Sequence, residues 1–236
     1  MKTWVIGATT AALACASGAT ALAQDIEGSA PRPLSAPKEA FELDVNTGYT
    51  RGFGSIHANP GGAVSDVARG GIGFGLGLGY RAIPELSVSV TGQFQELSAA
   101  PEQPMGTRIR GAAIGVEARL HVRPYERIDP WVALGGGYRL LWVAPVGPDN
   151  NVLNHGLQLA RAQVGLDVRV SRDIVLGPMI GGDIDLFIWR NPEGPIGNTV
   201  LPDKELSTFL FAGVQGRFDI GGKRVERTGT VQIGNR

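Results

Sequence analysis

The sequence predicts an all-β fold, an eight-stranded antiparallel up-and-down transmembrane β-barrel, on three observations. The stretch "GGIGFGLGLGY", Gly70–Tyr80, alternates glycine with a large apolar residue. Seven further segments share this period of two, each long enough for the roughly 9–11 residues with which a tilted strand crosses a bilayer. The connections between the eight are alternately long and short, as in bacterial outer-membrane barrels with both termini in the periplasm.

The first 23 residues read as a secretory signal peptide: Lys2, an apolar and small-residue region, then Ala21-Leu22-Ala23 before Gln24. Cys15, the only cysteine, lies within it; "ALAC" is the alternative, a lipobox whose usual large aliphatic residue is Ala12 here. Cleavage after Ala23 leaves an exported chain with no thiol and no disulfide, which suits an oxidising compartment. Residues 24–39, "QDIEGSAPRPLSAPKE", read as a flexible Pro-rich periplasmic leader. Beyond the signal, no run approaches the 18 or so apolar residues of a membrane helix. Balanced charge, 22 Lys+Arg against 22 Asp+Glu, gives no nucleic-acid surface.

The strands follow in order. Residues 40–54 carry Phe41, Leu43, Val45 and Tyr49 on one face and Glu42, Asp44, Asn46 and Thr50 on the other. In 70–80, Ile72, Phe74, Leu76, Leu78 and Tyr80 oppose a face of glycines. A helix would scatter those large residues, and a phosphate-binding G-x-G-x-x-G needs a glycine where an apolar residue always stands. Residues 86–96 set Leu86, Val88, Val90 and Phe94 against Ser, Thr and Gln, and 109–122 set Ile114, Val116 and Leu120 against Glu117, Arg119 and His121. Residues 131–143 oppose Leu134, Tyr138 and Trp142 to Gly135, Gly137 and Arg139. Residues 158–170 oppose Val164, Leu166 and Val168 to Arg161, Gln163, Asp167 and Arg169. Then 174–189 oppose Leu176, Ile180 and Ile184 to Asp183 and Asp185, and 206–220 oppose Leu210, Val214 and Phe218 to Gln215, Arg217 and Asp219. Long polar loops, "SIHANPGGAVSDVAR", "LSAAPEQPMGTR", "APVGPDNNVLNHG" and "RNPEGPIGNTVLPDKE", follow every odd-numbered strand; short turns follow the second, fourth and sixth. Residues 221–236 form a periplasmic tail.

The polar face belongs inside and the aliphatic face against lipid, the reverse of a soluble barrel. Inward glycines leave room for long charged side chains in a narrow lumen. Glu42, Asp44, Glu117, Asp167, Asp183, Asp185 and Asp219 then share the interior with Arg119, Arg139, Arg161, Arg169, Arg217 and His121, and buried charges require a paired network. Such a network is either a structural plug or the selective lining of a pore. Phe41, Tyr80 and Phe218 fall near the periplasmic ends of the lipid face, and Tyr49, Phe94, Tyr138 and Trp142 near the extracellular ends, as aromatic belts. Trp131, Phe187, Trp189, Phe209 and Phe211 have inward parity, so either a bulge resets their face or they cap the lumen.

This alternation of strands and loops behind a signal peptide resembles the small outer-membrane barrels of the OmpA transmembrane-domain, OmpX and opacity-protein type, over about residues 40–220. The resemblance is one of pattern, and it implies a fold and a membrane more than an activity. It implies outer-membrane lipid and lipopolysaccharide as surroundings, with insertion machinery that reads a final strand ending as Phe218-Asp219-Ile220 does. The chain departs from the pattern by continuing past that strand.

Three functions follow: a scaffold displaying four extracellular loops to an unknown ligand, a small passive channel or OmpW-like carrier of hydrophobic molecules, and a lipid-modifying enzyme. The third is disfavoured. A deacylase of this type uses H-x-S, whereas His57 is followed by Ala-Asn, His121 by Val-Arg and His155 by Gly-Leu. His57 and His155 are expected in loops. No metal-ligand spacing or cofactor motif is present.

Overall fold

The computed structural model describes residues 35–58, 61–146, 151–192 and 198–224. The segment read as a signal peptide with Cys15, most of the expected leader and the end of the expected tail lie outside the described residues.

The eight long strands are β2 (Ala40–Gly54), β3 (Ala68–Ile83), β4 (Leu86–Ala99), β5 (Arg108–His121), β6 (Ile128–Ala144), β7 (Val152–Arg169), β8 (Ile174–Pro192) and β10 (Leu206–Ile220). Each pairs antiparallel with its sequence neighbour, and β10 closes the sheet by pairing with both β8 and β2. Closure leaves none of the eight with a free edge. Three two-residue strands complete the set: β1 (Pro37–Lys38), β9 (Thr199–Val200) and β11 (Lys223–Arg224).

The faces divide as the parity requires, because strand side chains alternate and only one side of a closed sheet faces its interior. Leu134 is 68% exposed and Leu78 63%, whereas Arg217 and Asp185 are fully buried. A water-soluble barrel has the opposite arrangement. Gly77 and Gly79 pair with Asp44 and Glu42 across β2 and β3. A Cβ added at Gly77 would stand 3.3 Å from that of Asp44, so the glycine face of β3 is what gives the acidic face of β2 its space.

Some boundaries move. β3 extends through Arg81. β7 starts at Val152, so His155 is a strand residue paired with Leu140 and Trp189 rather than a loop residue. Backbone pairing with β6 and β8 continues through the polar stretch that reads as loop. The register of β7 on β8 jumps from His155–Trp189 to Gly156–Phe187, leaving Ile188 as an extra residue.

At the strand ends where the short turns lie, β1 and β11 form a small ribbon. Gly221 and Gly222 both have positive φ, 72° and 82°, and make the turn from β10 into it. The ribbon is fastened beneath the barrel by Ala36 N–H to the Pro124 carbonyl at 2.7 Å and by Arg224 to Asp173 at 2.6 Å. Lys223 lies 2.8 Å from Glu39, and its hydrogen bond holds that carboxyl below the usual range. At the opposite end the chain after β2 folds inward through a single helical turn, Val64–Val67, whose two valines are buried.

Candidate functional site

The lumen gathers the chemistry-bearing side chains, because every strand contributes the residues of its inward face to one narrow interior. Nearest the short turns, Arg81 donates to Glu42 at 2.5 Å and Arg169 to Asp219 at 2.7 Å. Arg217 lies 2.6 Å from Asp167, 3.4 Å from Asp219 and 3.5 Å from Glu42. These Arg217 approaches lack aligned hydrogen-bond geometry, so they are charge proximity rather than directed bonds. Gln215 donates to Asp167 at 2.6 Å. Arg119 reaches across the lumen to Asp44 at 2.8 Å and along its own strand to Glu117 at 3.1 Å, with its guanidinium 4.3 Å above the Trp131 ring.

A second group lies further towards the long loops. Arg161 binds Asp183 at 2.9 Å and Gln93 at 2.7 Å. Arg139 lies 3.6 Å from Asp183 and 3.9 Å from Asp185, donates to Gln95, and covers the Phe209 ring at 4.0 Å. Between the groups, a cavity bordered by Asp44, Arg119, Arg161 and Gln163 measures about 10 Å³, at the limit for one water molecule. Beyond Arg139 the interior turns apolar: Phe187, Phe209, Ile109, Leu141 and Leu97 pack with Ile56, Val64 and Val67 from the loop after β2. A smaller apolar cluster joins Trp131, Ala133, Met179 and Phe211.

His121, Asp129 and Asp167 bring three ligand atoms within 4.8 Å of one another. The imidazole is nonetheless committed. Arg81 lies 3.0 Å from Nε2, and a guanidinium only donates, so Nε2 accepts and Nδ1 carries the proton to Asp129 at 2.7 Å. Arg217 stands against the remaining carboxylate of Asp167. A cation would meet two guanidinium groups and no free imidazole lone pair.

A closed eight-stranded barrel with charges inside and aliphatics outside has solved counterparts. The crystal structure of neisserial surface protein A matches with a TM-score of 0.50 and 17% identity, over 75% of this chain and 96% of that one. This chain has the fold of the small outer-membrane β-barrels. OprG from Pseudomonas aeruginosa matches this barrel with a TM-score of 0.48 and 10% identity, over 78% and 98% of the two chains. Ail, the attachment invasion locus protein of Yersinia pestis, matches at 0.45 and 10%, over 77% and 99%. No family model and no curated protein matches the sequence of this outer-membrane-type barrel.

Each charge the parity assigned to the lumen of this outer-membrane-type barrel is buried there. Arg81 and Asp129 belong to the same network, one and two residues outside the strand limits read from the sequence; continuing the alternation would have found them. On the outer face, Phe41 meets Tyr80 edge-on at 5.4 Å, with Phe218 at the same end. Tyr49 and Phe94 are exposed, and Tyr138 and Trp142 are half-buried. The five inward-parity aromatics divide: Trp131, Phe187, Phe209 and Phe211 stay inside, while the extra residue at Ile188 turns Trp189 outward to stack on His155 at 5.5 Å. Tyr138 shares a 2.5 Å hydrogen bond with that imidazole.

Proposed function

We propose that the protein is a non-enzymatic barrel of the bacterial outer membrane, a rigid scaffold for its four long loops, with a lumen closed by its own side chains. The observation that carries this is the succession of two ion-pair groups and an apolar layer along one narrow interior, with a gap of only about 10 Å³ between the charged groups. Ions would have to break buried pairs to pass, which leaves uncompensated charge at low dielectric. The outward aliphatic band and its aromatic ends fit lipid and lipopolysaccharide as surroundings. Phe218 and Ile220 on the outer face of β10 fit recognition by the insertion machinery. Against catalysis stand the full hydrogen-bond commitments of His121 and the engagement of His155 by a phenol and by Asn198.

The apolar layer at the mouth favours a second reading, passage of small hydrophobic molecules, over passage of ions. Refolded protein is expected to migrate as a compact species in SDS and to shift on boiling. In planar bilayers it is expected to give no discrete conductance steps. Stepwise current from the wild-type protein would overturn the closed lumen. Water-soluble folding without detergent would overturn the membrane assignment.

A further inference from the structure

The extracellular mouth holds a built cavity that the scaffold reading leaves unused. After β2, Ser55 bridges Ala63 and His57 bridges Lys204, which folds the first long loop inward over the lumen. Its helical turn is tied to the next long loop: Ala100 N–H binds the Val67 carbonyl at 3.1 Å, and Gln103 Nε2 binds the Asp66 carbonyl at 2.9 Å. Between this folded loop and the tops of β6, β7 and β8 lies a cavity of about 340 Å³, within the size range of small-molecule sites.

Its lining has two chemistries. Ile56, Val67 and Val143 give an apolar floor, continuous with the packed layer that seals the lumen beneath. Gln103, Asn154 and Arg190 give polar walls, with His57 beside them. Asn154 and Arg190 are cross-strand partners, so their side chains leave one rung of the sheet together. Gln103 donates one amide N–H to the Asp66 carbonyl and keeps its second N–H. Among the described residues no carboxylate lines the cavity and none pairs with Arg190. Arg190, exposed at the rim, is the one arginine or lysine among the described lining residues.

We propose that this cavity binds a small amphipathic carboxylate, its anion on Arg190 and its apolar body on Ile56, Val67 and Val143. A guanidinium presents two parallel donors that match a carboxylate's geometry. A single cation and a cavity of this size suit a monoanion with a ring or short chain rather than a polyanion.

Phenylacetate and its neutral isostere phenylacetamide are the probes, titrated by saturation-transfer NMR into the full protein in lipid nanodiscs, with empty nanodiscs subtracted. Saturable phenylacetate binding is expected, weakened at least fivefold in Arg190→Gln and at least fivefold for phenylacetamide, and lost in Val143→Trp, which fills the floor. Arg190 is solvent-exposed at the rim, so Arg190→Gln keeps the boiling shift and tests the site even if the bulky variant does not fold. Absence of saturable binding, equal binding of the amide, or an unchanged affinity in Arg190→Gln would overturn the proposal. None of these results alters whether the lumen conducts.

Discussion

Arg217 shows how one residue can serve as the hub of the interior. It is fully buried, it faces Asp167, Asp219 and Glu42, and the acids it neutralises come from three different strands. Truncation would leave carboxylates in a low-dielectric interior with less positive charge, a cost of about 3–5 kcal/mol for breaking a buried pair. Arg217→Met is therefore expected to lower the urea midpoint of unfolding in detergent substantially, followed by tryptophan fluorescence. Asp185 is the contrast. It is equally buried, but its nearest cation contact is 3.9 Å from Arg139, against 2.6 Å between Arg217 and Asp167. Asp185→Asn removes a poorly compensated charge, and its midpoint is expected to stay closer to wild type than that of Arg217→Met. The reverse order would show that the Arg217 cluster is not the stabilising one.

At the scale of the strand, one inserted residue decides where an aromatic ring goes. Strand faces repeat every second residue, so an unpaired residue reverses the face of everything beyond it. Trp131 keeps lumen parity and is 1% exposed beneath Arg119. Trp189, past the extra residue at Ile188, emerges beside His155 and Tyr138 on the outer wall. Two variants in liposomes, each keeping one of these tryptophans as the only one beyond residue 23, test this directly. Brominated lipid is expected to quench Trp189 fluorescence strongly and Trp131 fluorescence weakly. Equal quenching would mean that the bulge does not re-aim the strand.

At the scale of the molecule, the distribution of polarity is inverted relative to a water-soluble protein, and this sets what substitution costs. Leu134 lies near the middle of β6 with its side chain 68% exposed to the surroundings of the barrel. An arginine there is expected to destabilise the protein in bilayers by about 2–4 kcal/mol, the cost of a cation on the lipid face near the midplane. Denaturant titration in phospholipid vesicles measures it. A change near zero would place Leu134 against water and would contradict the outward apolar band.

The sequence by itself determined the number of long strands, their faces and their antiparallel up-and-down order, because the period of two is local and every strand repeats it. The glycine face of β3 and the acids of β2 announce an interior that is polar and narrow before any partner is known. Limits of strands were less legible: Arg81 and Asp129 fell just outside them, and His155 lay in a polar stretch that composition alone assigns to a loop. Only the tertiary structure decided which charges meet, since Arg119 and Asp44 are 75 residues apart and pair through barrel closure. It also decided the bulge at Ile188, the ribbon of Pro37–Lys38 with Lys223–Arg224, and the loop folded over the mouth. Alternation fixes the face of a side chain from its nearest neighbours in sequence, whereas its partner across the lumen depends on shear and register, which exist only once the sheet has closed.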